Sequence, residues 1–274
     1  MRQFLVDAFA AAAFKGGPAC VVTPPFTAWP QDVWMQALAM ENNQAETAYL
    51  RATGAADRYD LRWFTPTGEA KLCGHATLAT AHVLFEELGH KAQSLHFDTL
   101  SGELIVQRTE EGLAMDFPAY PPVALAPMPQ LEAAMGARPV GLYGGPALIA
   151  VLDGEATVRN LKPAVKDLPF YDGTVFAEHH VIVTAPADAG RPYDGVSRLF
   201  APDMGIDEDP ATGSMHCMLA PLYHQMTGAV RMRFYQAHPR RGADISTVLA
   251  GDRVTLLGRA VTVAEAVLRL EVPE

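Results

Sequence analysis

The residues that could do chemistry cluster at the starts of two similar segments. "CGHATLATAHVLFEELG" runs from Cys73 to Gly89, and "TGSMHCMLAPLYHQMTG" from Thr212 to Gly228. Each passes from small residues into an apolar run of helical length and closes on a glycine, where C′ glycines end helices. Free N–H groups at a helix start attract anions. The Gly74 and Gly213 ends are therefore candidate docking points for a carboxylate. Proton carriers stand nearby. His75 follows Gly74, Asp209 lies three residues before Thr212, and Glu46 opens the strand-like run "ETAYLRAT". Carboxylates in apolar surroundings hold or take a proton near neutral pH, as general acid–base catalysis requires. Cys73 sits where a helix start would stabilise a thiolate. Its counterpart is Thr212, so the chain has at most one of the two opposed thiols that could racemise a carbon. Cys217 reads as a core cysteine.

Each residue also has a plainer reading. Thr212 or Ser214 caps a helix, Gly74 eases a turn, Glu46 is a solvated strand end, and His75 is a hydrogen-bonded structural residue. The residues alone leave both readings open. Cys73, His75, His216, Cys217 and the His179–His180 pair could ligate a metal, but no spacing matches a known site, so none is expected. "DPATGS" is not a phosphate-cradling loop, and no G-x-G-x-x-G follows a strand, so no nucleotide cofactor is expected. In "DEDPATGSMHC" (207–217), Asp207 and Glu208 read as solvated neighbours of Asp209.

Elements must hold these groups in place. Both segments are apolar on nearly every side, which describes buried helices, and Pro221 predicts a kink in the second. Strand-like runs separated by turn residues surround them, beginning with "QFLVDAF". "GGPACVV" at Gly16 returns as "GGPALIA" at Gly144, in the same order relative to the two helices. The reading is two similar α+β halves, each a sheet around one central helix. A proline-rich stretch near 121–130 fits a linker, placing domains at about 1–118 and 119–262.

The chain has 274 residues, 49% of them hydrophobic and 19% charged, a globular composition. Its formal charge of −10 disfavours nucleic acids and anionic membranes. No apolar run is long enough to span a bilayer. Three cysteines and no evident signal segment suggest reduced thiols and a cytoplasmic location.

"VDAFAAAAFKGGPACVV", "AETAYLRAT", "LRWFTPTGEAKLCGHATLATAHVL", "FDTLSGELIV", "DEDPATGSMHC" and "QAHPRRGADI" occur in the order seen in the phenazine-biosynthesis PhzF-like family. The chain resembles that family over nearly its whole length, with "CGHAT" and "EDPATGS" the specific motifs. The resemblance implies the diaminopimelate epimerase-like fold. That fold has two pseudo-symmetric domains, each a mostly antiparallel sheet wrapped around a central helix, with the active site between them. It also implies that residues 263–274 return to the first domain, and it suggests a homodimer. It implies an isomerase without cofactor or metal that moves a proton within a small anionic substrate. The matching positions are Glu46, His75 and Asp209 for catalysis, with Ser214 and the Gly74 and Gly213 backbones against the substrate. Cys73 and Thr212 flank them. True epimerases of this fold use two cysteines, so Thr212 favours a glutamate-driven proton shift over thiol chemistry. A one-thiol epimerase or racemase and a non-catalytic binding protein are the alternatives. Two departures stand out. Gly16-Gly17-Pro18 replaces the family's "GNP", and His238 and Ala243 depart from its C-terminal "Q-x-S-x-R-G-G" motif, which leaves the substrate open.

Overall fold

A computed structural model describes residues 1–169, 171–172, 177–178, 180–202 and 206–272. The chain divides into two compact units, Met1–Asp116 with Leu257–Glu274, and Phe117–Leu256. The first unit contains β1 (Arg2–Ala8), β2 (Gly17–Phe26), α1 (Asp32–Asn42), β3 (Glu46–Ala52), β4 (Arg58–Thr65), β5 (Gly68–Ala70), α2 (Gly74–His82), β6 (Ser94–Thr99), β7 (Gly102–Thr109) and β8 (Gly112–Pro118). The second contains β9 (Val123–Ala124), α3 (Pro129–Met135), β10 (Gly141–Gly144), β11 (Leu148–Val151), α4 (Glu155–Asn160), β12 (Tyr171–Asp172), β13 (Ala177–Glu178), β14 (Val181–Pro186), β15 (Gly195–Phe200), β16 (Glu208–Asp209), α5 (Gly213–Thr227), β17 (Arg231–Gln236), β18 (Ala243–Ala250) and β19 (Arg253–Gly258). The closing strand β20 (Ala260–Val267) belongs to the first unit.

The two units pair their strands in the same sequence. In the first, β1–β2 is antiparallel, β2–β3 parallel, β3–β4 antiparallel, β4–β6 parallel and β6–β7 antiparallel. In the second, β10–β11, β11–β14, β14–β15, β15–β17 and β17–β18 repeat that series. The short strands β5 and β16 occupy matching places on β4 and β15, each just before the central helix. Side chains repeat as well. Arg62 grips Glu69 through Nε–Oε1 (2.6 Å) and Nη2–Oε2 (2.8 Å), and Arg198 grips Glu208 through the same atoms at 2.8 and 2.7 Å. Each guanidinium also lies over a phenylalanine, Phe64 or Phe200. Such agreement in pairing and in side chains supports an internal duplication.

The central helices are buried all round, as their apolar sequence demands. His75 to Ala81 of α2 are all buried, and α2 packs on β1, β2, β3, β7 and β20. It is shorter than the predicted segment. At Val83 the backbone passes into a π-helical turn through Glu87, and Leu88 N–H bonds Val83 O. α5 runs from Gly213 to Thr227 with Pro221 inside it. The missing proline N–H would have bonded the Cys217 carbonyl. That carbonyl instead accepts from Tyr120 N–H at 2.9 Å, so the helix continues without an orphaned group. The stretch 121–130, read as a linker, carries β9 on the edge of β10 and the start of α3. At the other chain end β20 pairs antiparallel with β1. Gly16 has φ +61°, and a Cβ there would sit 1.9 Å from Ala8 O, so only glycine fits this turn. Among the described residues no helix is long and apolar enough to cross a membrane.

Candidate active site

In the first unit, strand register and helix capping converge on one cluster. β3 begins at Glu46, beside Ala19 of β2, and the carboxylate is 5% exposed. Cys73 is the N-cap of α2, and its sulfur accepts from Ala76 N–H at 3.4 Å. His75, the second residue of α2, stands between them. Its Nδ1 is 3.7 Å from Cys73 Sγ, and its Nε2 is 2.7 Å from Glu46 Oε2. The second contact is close but out of line, so neither Nε2 nor Oε2 has an aligned hydrogen-bond partner. The site cysteine, histidine and glutamate of the sequence reading are thus brought together. None of them is a solvated end.

Burial works against a charged imidazole, but Cys73 and Glu46 outweigh it and hold His75 well above the usual histidine range. Burial, reinforced by the Glu46 charge, pushes the Cys73 thiol up to about 11 despite His75 and the Ala76 N–H. At neutral pH Cys73 is therefore a thiol. Although no spacing suggested a metal, Glu46, Cys73 and His75 each place a donor atom within 4.8 Å of the other two.

In the second unit, Asp209 ends β16 and is buried. Its Oδ2 accepts a short hydrogen bond from Thr212 Oγ1, and its Oδ1 accepts from Ala211 N–H at 3.3 Å. Thr212 is the N-cap of α5, yet its hydroxyl turns to Asp209 rather than to the helix. Gly213 and Ser214 open the helix without a side-chain cap. Gln236, fully buried on β17, binds this corner from behind. Its Oε1 accepts from Thr212 N–H (2.7 Å), while its Nε2 donates to Asp209 O (2.7 Å) and Thr212 Oγ1 (3.2 Å). His216 also faces the cap, its Nδ1 2.9 Å from Thr212 O, and burial lowers its pKa to about 4. Thr77 of α2 makes the matching bond to Cys73 O.

The sequence reading missed Gln236. The only signal was its place at the head of "QAHPRRG", and its role depends on the register of β17 beside β15. Glu208 is a correction. It was read as solvated but pairs with the buried Arg198, which also donates to Val158 O and Leu161 O. Asp207 is exposed. Cys217 is 1% exposed and sits in the core. Strand register sets His180, just before β14, where Glu46 stands in the first unit. Its neighbour His179 lies outside the described residues.

The family model described as phenazine biosynthesis-like protein, PhzC-PhzF, matches residues 6–266. An uncharacterized isomerase of Pseudomonas aeruginosa is 42% identical over 269 residues, covering 97% of each chain. A PhzF-family crystal structure from Enterococcus faecalis is similar at a TM-score of 0.89 and 39% identity, covering 97% of this chain and 99% of that one. A probable proline racemase from Agrobacterium radiobacter, 14% identical with a TM-score of 0.59 over 98% of this chain and 93% of its own, shares the fold alone. Two duplicated units built around buried helices and whole-length likeness to named isomerases lead to one conclusion: the chain belongs to the phenazine biosynthesis-like PhzC-PhzF family and is an isomerase with the diaminopimelate epimerase-like fold.

Proposed function

We propose that the protein moves a proton within a small carboxylate-bearing substrate without a cofactor, using Glu46 as base and then acid. The observation that carries this reading is the buried Glu46–His75 contact of 2.7 Å at the start of α2. Glu46 takes a proton from one carbon, the electron pair shifts along the substrate, and Glu46 returns the proton to another carbon. His75, charged beside it, hydrogen-bonds the oxygen or nitrogen on which negative charge develops. The N–H groups of Gly74 and His75 at the start of α2 receive the substrate's carboxylate. Asp209, held by Thr212, orients a substrate amine or hydroxyl. The protein acts as a cytoplasmic homodimer in this reading, which sedimentation and cell fractionation test.

A one-thiol epimerase using Cys73 is the second reading. The thiol's raised pKa of about 11 weighs against it, because the thiolate is the reactive form. Both are tested by solvent-deuterium incorporation over a panel of cyclic and unsaturated amino and hydroxy acids, with each mixture also checked for isomers of unchanged mass. Glu46→Gln should fold normally and lose turnover by about 100-fold or more, while Cys73→Ala should retain it. Equal turnover in wild type and Glu46→Gln would sink the glutamate mechanism. Ligand-induced thermal stabilisation without exchange or isomerisation would mark a binding protein instead.

A further inference from the structure

Cys73 has no part in the proton transfer proposed above, yet among the described residues it makes the one hydrogen bond that the His75 ring has. Its Sγ lies 3.7 Å from Nδ1. The sulfur is itself held in place. It caps α2 by accepting from Ala76 N–H at 3.4 Å, and Thr77 Oγ1 donates to the Cys73 carbonyl at 2.6 Å. The other side of the ring is different. Nε2 is 2.7 Å from Glu46 Oε2 but out of line with it, so this nitrogen has no aligned partner. Glu46, Cys73 and His75 are each more than nine-tenths buried. Turning the ring by half a turn would put Cδ2 against the sulfur and Cε1 against the carboxylate, and both contacts would be lost. One nitrogen is therefore anchored while the other is unspent. A thiol sulfur is a weak acceptor, but an imidazolium N–H is a strong donor. His75 is held well above the usual histidine range, so both nitrogens carry protons at neutral pH and Nδ1 is the donor.

We infer that Cys73 is a positioning residue: its sulfur accepts the Nδ1–H of His75 and fixes the ring, which leaves Nε2–H free to meet the substrate beside Glu46. The thiol exchanges no proton with carbon. In the proposed reaction the oxygen or nitrogen that gains charge takes its hydrogen bond from Nε2–H. That consequence rests on the proposed function, whereas the sulfur contact does not. The titratable groups that act most strongly on the ring are Cys73, at the cap of α2, and Glu46, on β3. Removing the sulfur removes a hydrogen bond to the protonated ring, so the ring should then titrate at lower pH.

The test follows the ring nitrogens of His75 by NMR in protein carrying isotopically labelled histidine, with the signals assigned from their loss in His75→Gln. It needs no substrate. In wild type, Nδ1 should be protonated at neutral pH. Cys73→Ala should displace the Nδ1–H signal and lower the pH at which the ring titrates by about half to one pH unit. Cys73→Ser keeps an acceptor at that place and should titrate close to wild type. Each variant is judged only where circular dichroism shows the native fold, and the wild-type signal stands independently of all of them. An unprotonated Nδ1 in wild type at neutral pH overturns the inference. So does a folded Cys73→Ala that titrates as wild type does, or an equal lowering in the serine and alanine variants. The compound that wild type labels in the deuterium panel gives a second readout, since the alkaline limb of its turnover should follow the NMR titration in Cys73→Ala. A limb that stays in place while the NMR titration moves would instead remove His75 from the reaction and leave the sulfur contact intact.

Discussion

At the scale of residues, the two helix starts solve the same problem with different chemistry. Cys73 caps α2 through sulfur, while Thr212 gives its hydroxyl to Asp209 and leaves its own N–H to Gln236. Gln236 should therefore matter more than its absence from the chemistry suggests. Gln236→Leu leaves the Thr212 N–H and the Asp209 carbonyl without this partner inside the fold. At about 1–3 kcal/mol for each buried group, urea unfolding should show a loss of roughly 2–6 kcal/mol. His75 supplies a pH signature. Its folded pKa lies above the free value of 6.5, so the stability it contributes is complete below about 6.5 and lost as pH rises through the folded value. The urea-stability difference between wild type and His75→Gln should shrink as pH is raised above 6.5. A difference that stays constant or grows would contradict the elevated imidazole.

At the scale of elements, Pro221 shows how local propensity is overridden. A proline inside a helix ordinarily costs about 3 kcal/mol relative to alanine. Most of that cost comes from the lost hydrogen bond and from the clash with the carbonyl four residues back. Here that carbonyl, Cys217 O, already has Tyr120 N–H. Pro221→Ala should consequently change stability by less than about 1 kcal/mol, measured by thermal unfolding, rather than recover the full penalty. The helix ends were legible because glycine marks them, as Gly228 does with φ +77° and its N–H on His224 O. The π-helical turn after His82 was not legible, since "VLFEE" carries no residue that forbids an α-helix.

At the scale of the whole molecule, the first unit is assembled from both ends of the chain. β20 lies along all of β1, from Arg2 opposite Val267 to Ala8 opposite Ala260. Leu268 N–H bonds Met1 O, and Trp34 Nε1 donates to Glu271 O. Removing residues 259–274 should expose the β1 amides that face β20. Hydrogen exchange should then accelerate at alternate residues of Arg2–Ala8 and leave β17 and β18 in the second unit protected. Equal loss of protection in both units would mean that they unfold as one.

The sequence by itself determined the family, the fold class, the duplication and the buried helices. These depend on local patterns: apolar runs of helical length, closing glycines, recurring "GGP" and motifs such as "CGHAT" and "EDPATGS". It also named Glu46, His75 and Cys73, but could not choose between a solvated acid and a buried one. Only the tertiary structure decided that Glu46 meets His75 at 2.7 Å, that Gln236 holds Asp209 and Thr212, and that Glu208 is paired with Arg198. Each of those contacts joins residues from different strands and helices. Their distances are set by sheet register and helix docking, which depend on the summed packing of the whole unit and leave no mark in the short stretch where each residue sits.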